Sequence, residues 1–161
     1  MFNLLKVNKG LSLIELVVTI AILSILAAVV MPLRGMTAQR AKEIELRRNL
    51  RIIRIAIDDF KKTHDKMPDG PQKTGTGYPK SLKQLVEGYN FGDAVGGTKK
   101  FLRRIPSDPF NPYRGGEEEK MWGLRSYSDS PDSTTWGGDD VYDVYSLSEG
   151  TAIDGTKYKE W

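Results

Sequence analysis

Few side chains of this chain are placed to do chemistry. It has a single histidine, His64, and no cysteine. With no companion histidine or nearby nucleophile, His64 is expected to cap a helix end rather than to move protons. The missing cysteines exclude disulfides, thiolate catalysis and cysteine metal sites. The glycine- and proline-rich stretch 67–78 reads as a loop, and it lacks the G-x-x-x-x-G-K-[ST] spacing of a phosphate cradle. No nucleophile, base and orienting group recur at a workable spacing, so no catalytic activity is expected. The residue whose setting demands an explanation is Glu15, the only ionisable side chain in residues 11–33, where Ser12, Thr19 and Ser24 are the other polar ones.

Residues 11–33 are apolar on every face of a helix, a pattern that requires lipid or protein all around. At about 1.5 Å per residue they reach roughly 34 Å, enough to cross a hydrocarbon layer of about 30 Å with some tilt. An ionised acid in that layer costs on the order of 3 kcal/mol, so intramembrane carboxylates usually have a partner or a task. No basic residue lies within a turn of Glu15. It either sits at the headgroup level, where water relieves the cost, or meets a positive group from elsewhere. A secretory signal peptide has a shorter apolar core with a small-residue cleavage site behind it, whereas this core runs on into Pro32 and Arg34.

The boundary before this core is distinctive: a polar leader carrying Lys6 and Lys9 stops at Gly10, and Gly10-Leu11-Ser12-Leu13-Ile14-Glu15-Leu16 follows at once. It resembles the class III signal of type IV pilins and type II secretion pseudopilins. The resemblance implies that a membrane-embedded prepilin peptidase cuts after Gly10 and methylates the new amino terminus at Leu11, which makes Glu15 the fifth residue of the mature chain. A positive terminus would then lie one helical turn from Glu15, and in a packed filament the terminus of an adjacent subunit could lie beside it. Two charges at about 4 Å attract by roughly 4 kcal/mol at an effective dielectric near 20, enough to set subunit register.

Of 161 residues, what remains after leader and span fits one small domain. The formal net charge is +3, and Lys6 and Lys9 supply two of those charges. The signs are interleaved elsewhere, so no nucleic-acid footprint is expected. Two orientation signals oppose each other. Arg34, Arg40, Lys42, Arg47 and Arg48 follow the span, which by the positive-inside count would leave the C-terminal part in the cytoplasm. The leader resemblance implies the reverse, with the leader cytoplasmic and the head periplasmic, and that orientation is the expected one.

Pro32 removes a backbone hydrogen bond and clashes with the preceding turn, so a kink or a melted turn is expected around residues 29–35. The resemblance implies local unwinding there in an assembled filament; a simple kink at the membrane face fits the same residues. Beyond it the pattern turns amphipathic. Leu46, Leu50, Ile53, Ile57 and Phe60 fall at spacings of four and three and predict one buried stripe. Arg47, Arg48, Arg51, Arg54, Asp58, Asp59, Lys61 and Lys62 fill the other faces as solvated charges do. The reading is one long helix over residues 11–63.

A short helix follows, with a capping box from Ser81 and Gln84, apolar Leu82, Leu85 and Val86 facing inward, and Gly88 as its stop. Residues 92–98 read as a loop. Residues 121–127 and 141–147 read as an antiparallel strand pair that would cover the stripe. Ser81-Leu82-Lys83-Gln84-Leu85-Val86, then the turn-rich Ile105-Pro106-Ser107-Asp108-Pro109-Phe110-Asn111-Pro112-Tyr113, then 141–150 and Trp161, are similar to the major, G-type pseudopilin of type II secretion. Phenylalanine stands at 110 for the usual tryptophan, and no glycine precedes Asn111.

The expected fold is therefore α+β and pilin-like: a leader over 1–10, a transmembrane or filament-core helix over 11–33, its amphipathic continuation over 34–63, and a globular periplasmic head over 64–161 with a small antiparallel sheet. The resemblance implies a structural subunit of a helical homopolymer in the bacterial inner membrane and periplasm. Its implied partners are the prepilin peptidase, an inner-membrane assembly platform and minor pseudopilins. No cofactor is required by the residues. The family commonly ties the loop after the last strand with calcium, for which this chain offers Ser148, Glu149 and Asp154 but not the usual paired aspartates. A surface type IV pilin, a membrane-anchored binding module that does not polymerise, and an enzyme on a tether are the competing readings.

Overall fold

A computed structural model of the chain describes residues 10–68, 75–92, 96–113 and 115–161, without the side chains of residues 29–34 and 119. The leader residues 1–9, with Lys6 and Lys9, lie outside it, as do residues 69–74 of the loop expected over 67–78. The chain divides into two compact units, Met1–Ala38 and Gln39–Trp161.

Helix α1 is Leu13–His64 and supplies the backbone of both units. In the first unit Leu13, Ile14, Leu16 and Val17 are each more than half exposed in the single chain. Thr19 and Ser24 return their hydroxyls to the carbonyls of Leu16 and Ile20 at 2.9 and 2.8 Å, so they present no unpaired donor to an apolar medium. Glu15 lies in the first turn, where the unsatisfied N–H groups favour an acid. Among the described residues no helix is long and apolar enough to cross a membrane; side chains 29–34, which complete the expected span, lie outside that set. α1 is unbroken through Pro32, so the single subunit has no melted turn there. One missing N–H removes one rung, and the turns on either side keep theirs.

In the second unit the expected stripe is the core. Leu46, Leu50, Ile53, Ile57 and Phe60 are each 2 % exposed or less, and they pack in one cluster with Leu82, Leu85, Phe91, Trp122, Leu124, Val141 and Val144. Phe60 meets Tyr89, Phe91 and Phe101 with ring centres 5.2 to 5.5 Å apart.

Helix α2, Leu82–Glu87, begins at Ser81, whose hydroxyl accepts from the Gln84 N–H, and stops at Gly88 with φ 97°. Only half of the capping box forms, since Gln84 Oε1 accepts instead from the Lys80 N–H at 2.9 Å. Val86 is half-buried while Leu82 and Leu85 are fully buried. Strands β1, Tyr89–Asn90, and β2, Thr98–Lys99, pair antiparallel, so Thr98 of the loop read at 92–98 is a strand residue; residues 93–95 lie outside the described set. Helix α3 is Glu118–Met121. Strands β3, Gly123–Arg125, and β4, Asp143–Tyr145, form the expected antiparallel pair, with Leu124 opposite Val144.

The pair is shorter than 121–127 and 141–147, for reasons visible at its ends. Met121 belongs to α3. The N–H groups of Ser126 and Tyr127 are taken by the carboxylates of Asp129 and Asp140, at 2.7 and 2.9 Å, which stops the ladder at Arg125. The Val141 N–H is taken by the Pro79 carbonyl at 2.7 Å. Side-chain acceptors compete with the ladder for the same donors.

Candidate functional site

Two regions carry the candidate residues. In the first, Gly10, Leu11 and Ser12 precede α1 in non-helical, exposed backbone. A side-chain carbon added at Gly10 would meet nothing within 4 Å. The described fold therefore makes no steric demand for glycine there, and Leu11 is 73 % exposed. Glu15 is exposed, with no hydrogen-bond or ion-pair partner among the described residues. The backbone of Pro32 is helical and its side chain lies outside the described set.

The second region is the loop after β4, and it is built on one face of α1. Gln39, Glu43 and Arg47 stand four residues apart and so line up along the helix. Gln39 Nε2 donates to the Thr151 carbonyl at 3.1 Å and to the Tyr158 hydroxyl at 3.0 Å. Glu43 Oε1 accepts from the Ile153 N–H and from the Tyr158 hydroxyl, both at 2.9 Å. Arg47 Nη2 reaches Asp154 Oδ2 at 3.1 Å. The Thr156 hydroxyl and N–H, with the Arg47 charge after them, hold Asp154 below the ordinary carboxylate value. Burial first, and the Glu43 carboxylate after it, push the Tyr158 phenol up, so it remains a donor.

The three residues proposed as calcium ligands are not gathered. Glu149 pairs with Lys159 at 3.0 Å, Asp154 with Arg47, and the Ser148 hydroxyl accepts from the Gly150 N–H at 3.3 Å. Among the described residues no group of three His, Cys, Asp or Glu side chains is placed to hold a metal. His64 ends α1 as expected, with its carbonyl accepting from the Met67 N–H at 2.9 Å. Its ring is 1 % exposed and stacks on Phe60 in the core, away from any open surface. A groove of about 750 Å³ between α1 and residues 102–107 is lined by Arg48, Ile52, Arg103 and Arg104 and contains no histidine or carboxylate pair.

Three structural residues were not singled out from sequence. Asp108, in the turn-rich run, is 1 % exposed and accepts from the Phe110 N–H at 2.7 Å and the Ser146 hydroxyl at 2.5 Å. Glu118 receives the N–H groups of Leu82 and Lys83 and caps α2 from a distant part of the chain. Tyr158 stacks on Phe110 with ring centres 4.0 Å apart.

A family model described as the prokaryotic N-terminal methylation motif matches residues 5–31. The type II secretion system core protein G of Pseudomonas aeruginosa is 30 % identical over 114 residues, which cover 66 % of this chain and 72 % of that protein. No solved structure matches the chain significantly.

Proposed function

The chain belongs to the family of the type II secretion system core protein G, and we propose that it is the subunit whose stacking builds the periplasmic filament that drives export. It is a type II secretion pseudopilus subunit with an N-terminal methylation motif. The observation that carries the finer reading is the coincidence of three things at one end. Gly10 meets no steric demand among the described residues, Leu11 after it is exposed, and an acid stands at the fifth position beyond Gly10.

In this reading the prepilin peptidase cuts after Gly10, and Leu11 becomes the methylated terminus. The mature chain waits in the inner membrane with its head in the periplasm. Glu15 sets register by meeting the Leu11 amine of an adjacent subunit, an attraction of roughly 4 kcal/mol at about 4 Å and an effective dielectric near 20. The apolar face over residues 16–30 becomes the filament core, which supplies the protein surroundings that its exposed side chains lack in the single chain. Pro32 is where α1 opens when subunits pack, because the hydrogen bond it lacks leaves that turn the easiest to unwind. An inner-membrane platform extracts the subunits, minor pseudopilins occupy the tip, and the protein works without catalysis.

The test is a chromosomal deletion scored for secreted proteins and for surface pili. Loss of secretion with pili intact supports the reading, and loss of pili with secretion intact contradicts it. Complementation with Glu15→Leu should yield processed chain that does not assemble. Filaments at the normal rate from that variant would remove the register role.

A further inference from the structure

We propose that the loop after β4 is held on α1 by a metal-independent polar clamp, made by Gln39, Glu43 and Arg47, in the place where the family resemblance implies calcium. Several of the loop's oxygen atoms are already committed to protein donors. The Gly150 carbonyl accepts from the Tyr158 N–H at 3.2 Å, the Ala152 carbonyl from Gly155 at 2.9 Å, and the Thr156 carbonyl from Ala152 at 2.8 Å. Gln39 takes the Thr151 carbonyl. Asp154 Oδ1 accepts from the Thr156 hydroxyl and N–H at 2.6 and 3.0 Å, and its Oδ2 from Arg47.

Calcium requires six to eight oxygen ligands at about 2.3–2.6 Å. To gather them here, Asp154 would have to leave Arg47 and Glu149 would have to leave Lys159, so two cations already stand where a divalent ion would act. The exposed Arg47–Asp154 pair contributes little alone. The clamp draws its strength from Tyr158, which is 2 % exposed and stacks on Phe110, and whose hydroxyl accepts from Gln39 and donates to Glu43. Trp161 closes the end. The Arg47 guanidinium lies 3.9 Å from its ring centre, Trp161 Nε1 donates to Thr156 Oγ1 at 2.8 Å, and Arg54 Nη2 donates to its carbonyl at 2.6 Å.

The inference does not depend on the export role, and its test is read on the chain itself. The full-length protein in detergent micelles is melted in chelator and in about 10 mM free calcium, a concentration that nearly saturates even a site with a Kd of about 1 mM. The clamp predicts midpoints that differ by less than about 2 °C; a rise of that size or more in calcium overturns it. Glu43→Leu should lower the midpoint by about 3 °C or more in either condition, and an unchanged midpoint also overturns the clamp. If Glu43→Leu does not fold, Gln39→Leu is judged by the same criterion.

Discussion

The Ser146 hydroxyl donates to the Asp108 carboxylate at 2.5 Å in the core, where the two residues are 0 % and 1 % exposed. This pair fastens the turn-rich run 105–113 to the end of β4. Asp108→Ala strands the buried Ser146 hydroxyl, at a cost of about 1–3 kcal/mol, and also the part-buried Phe110 N–H. Denaturant unfolding should show a larger loss for Asp108→Ala than for Asp108→Asn, which keeps an acceptor. Equal losses would contradict the role of the paired oxygens.

Glu118 accepts from two successive N–H groups at the start of α2, from Leu82 and from Lys83, the latter at 2.7 Å. Glu118→Ala is expected to cost about 1–2 kcal/mol, the loss of a helix cap and a favourable charge. Hydrogen exchange at Leu82 and Lys83 should speed up. Unchanged protection at both amides would remove the capping account.

Gly123 faces Tyr145 across the β3–β4 pair, and an added side-chain carbon would stand 2.2 Å from the tyrosine ring. Gly123→Ala must therefore displace a ring that also carries the Arg125 guanidinium 4.1 Å from its centre. The expected cost is about 1–3 kcal/mol, as for overpacking. Gly116→Ala, where nothing lies within 4 Å, should be close to neutral. The reverse order of the two effects would contradict the contact.

What could be read from the chain itself was what repeats at a regular spacing. The stripe from Leu46 to Phe60 was legible because helical geometry alone brings those positions together, and every one of them is buried. The strand pair was legible in type but not in length, since its ends are set by Asp129 and Asp140, carboxylates that a sequence reading assigns to turns. The β1–β2 ladder was missed because two-residue strands leave no alternation to detect. Asp108 and Glu118 were missed because their partners are distant in sequence and an acid among prolines or glutamates reads as solvated. The Gln39, Glu43, Arg47 spacing was visible, yet nothing in it indicates that Tyr158 and Asp154 fold back onto it.

Acid should loosen the head through two aspartates. Asp154 is held below 3.8 chiefly by Thr156, and Asp129 below the same value by the N–H groups of Ser126 and Gly137. Both bind protons more weakly folded than unfolded, so their contribution is complete above 3.8 and is lost as pH falls through the lower folded values. Asp129→Asn and Asp154→Asn together should flatten the stability curve below 3.8. A curve as steep as that of the parent protein would contradict the assignment.

The proposed function requires that an acid be retained in an apolar helix because cleavage supplies an amine for it. Mass spectrometry of the protein extracted from its native membranes tests this most directly. The predicted chain starts at an N-methylated Leu11; a chain that retains Met1 and the residues up to Gly10 would contradict it.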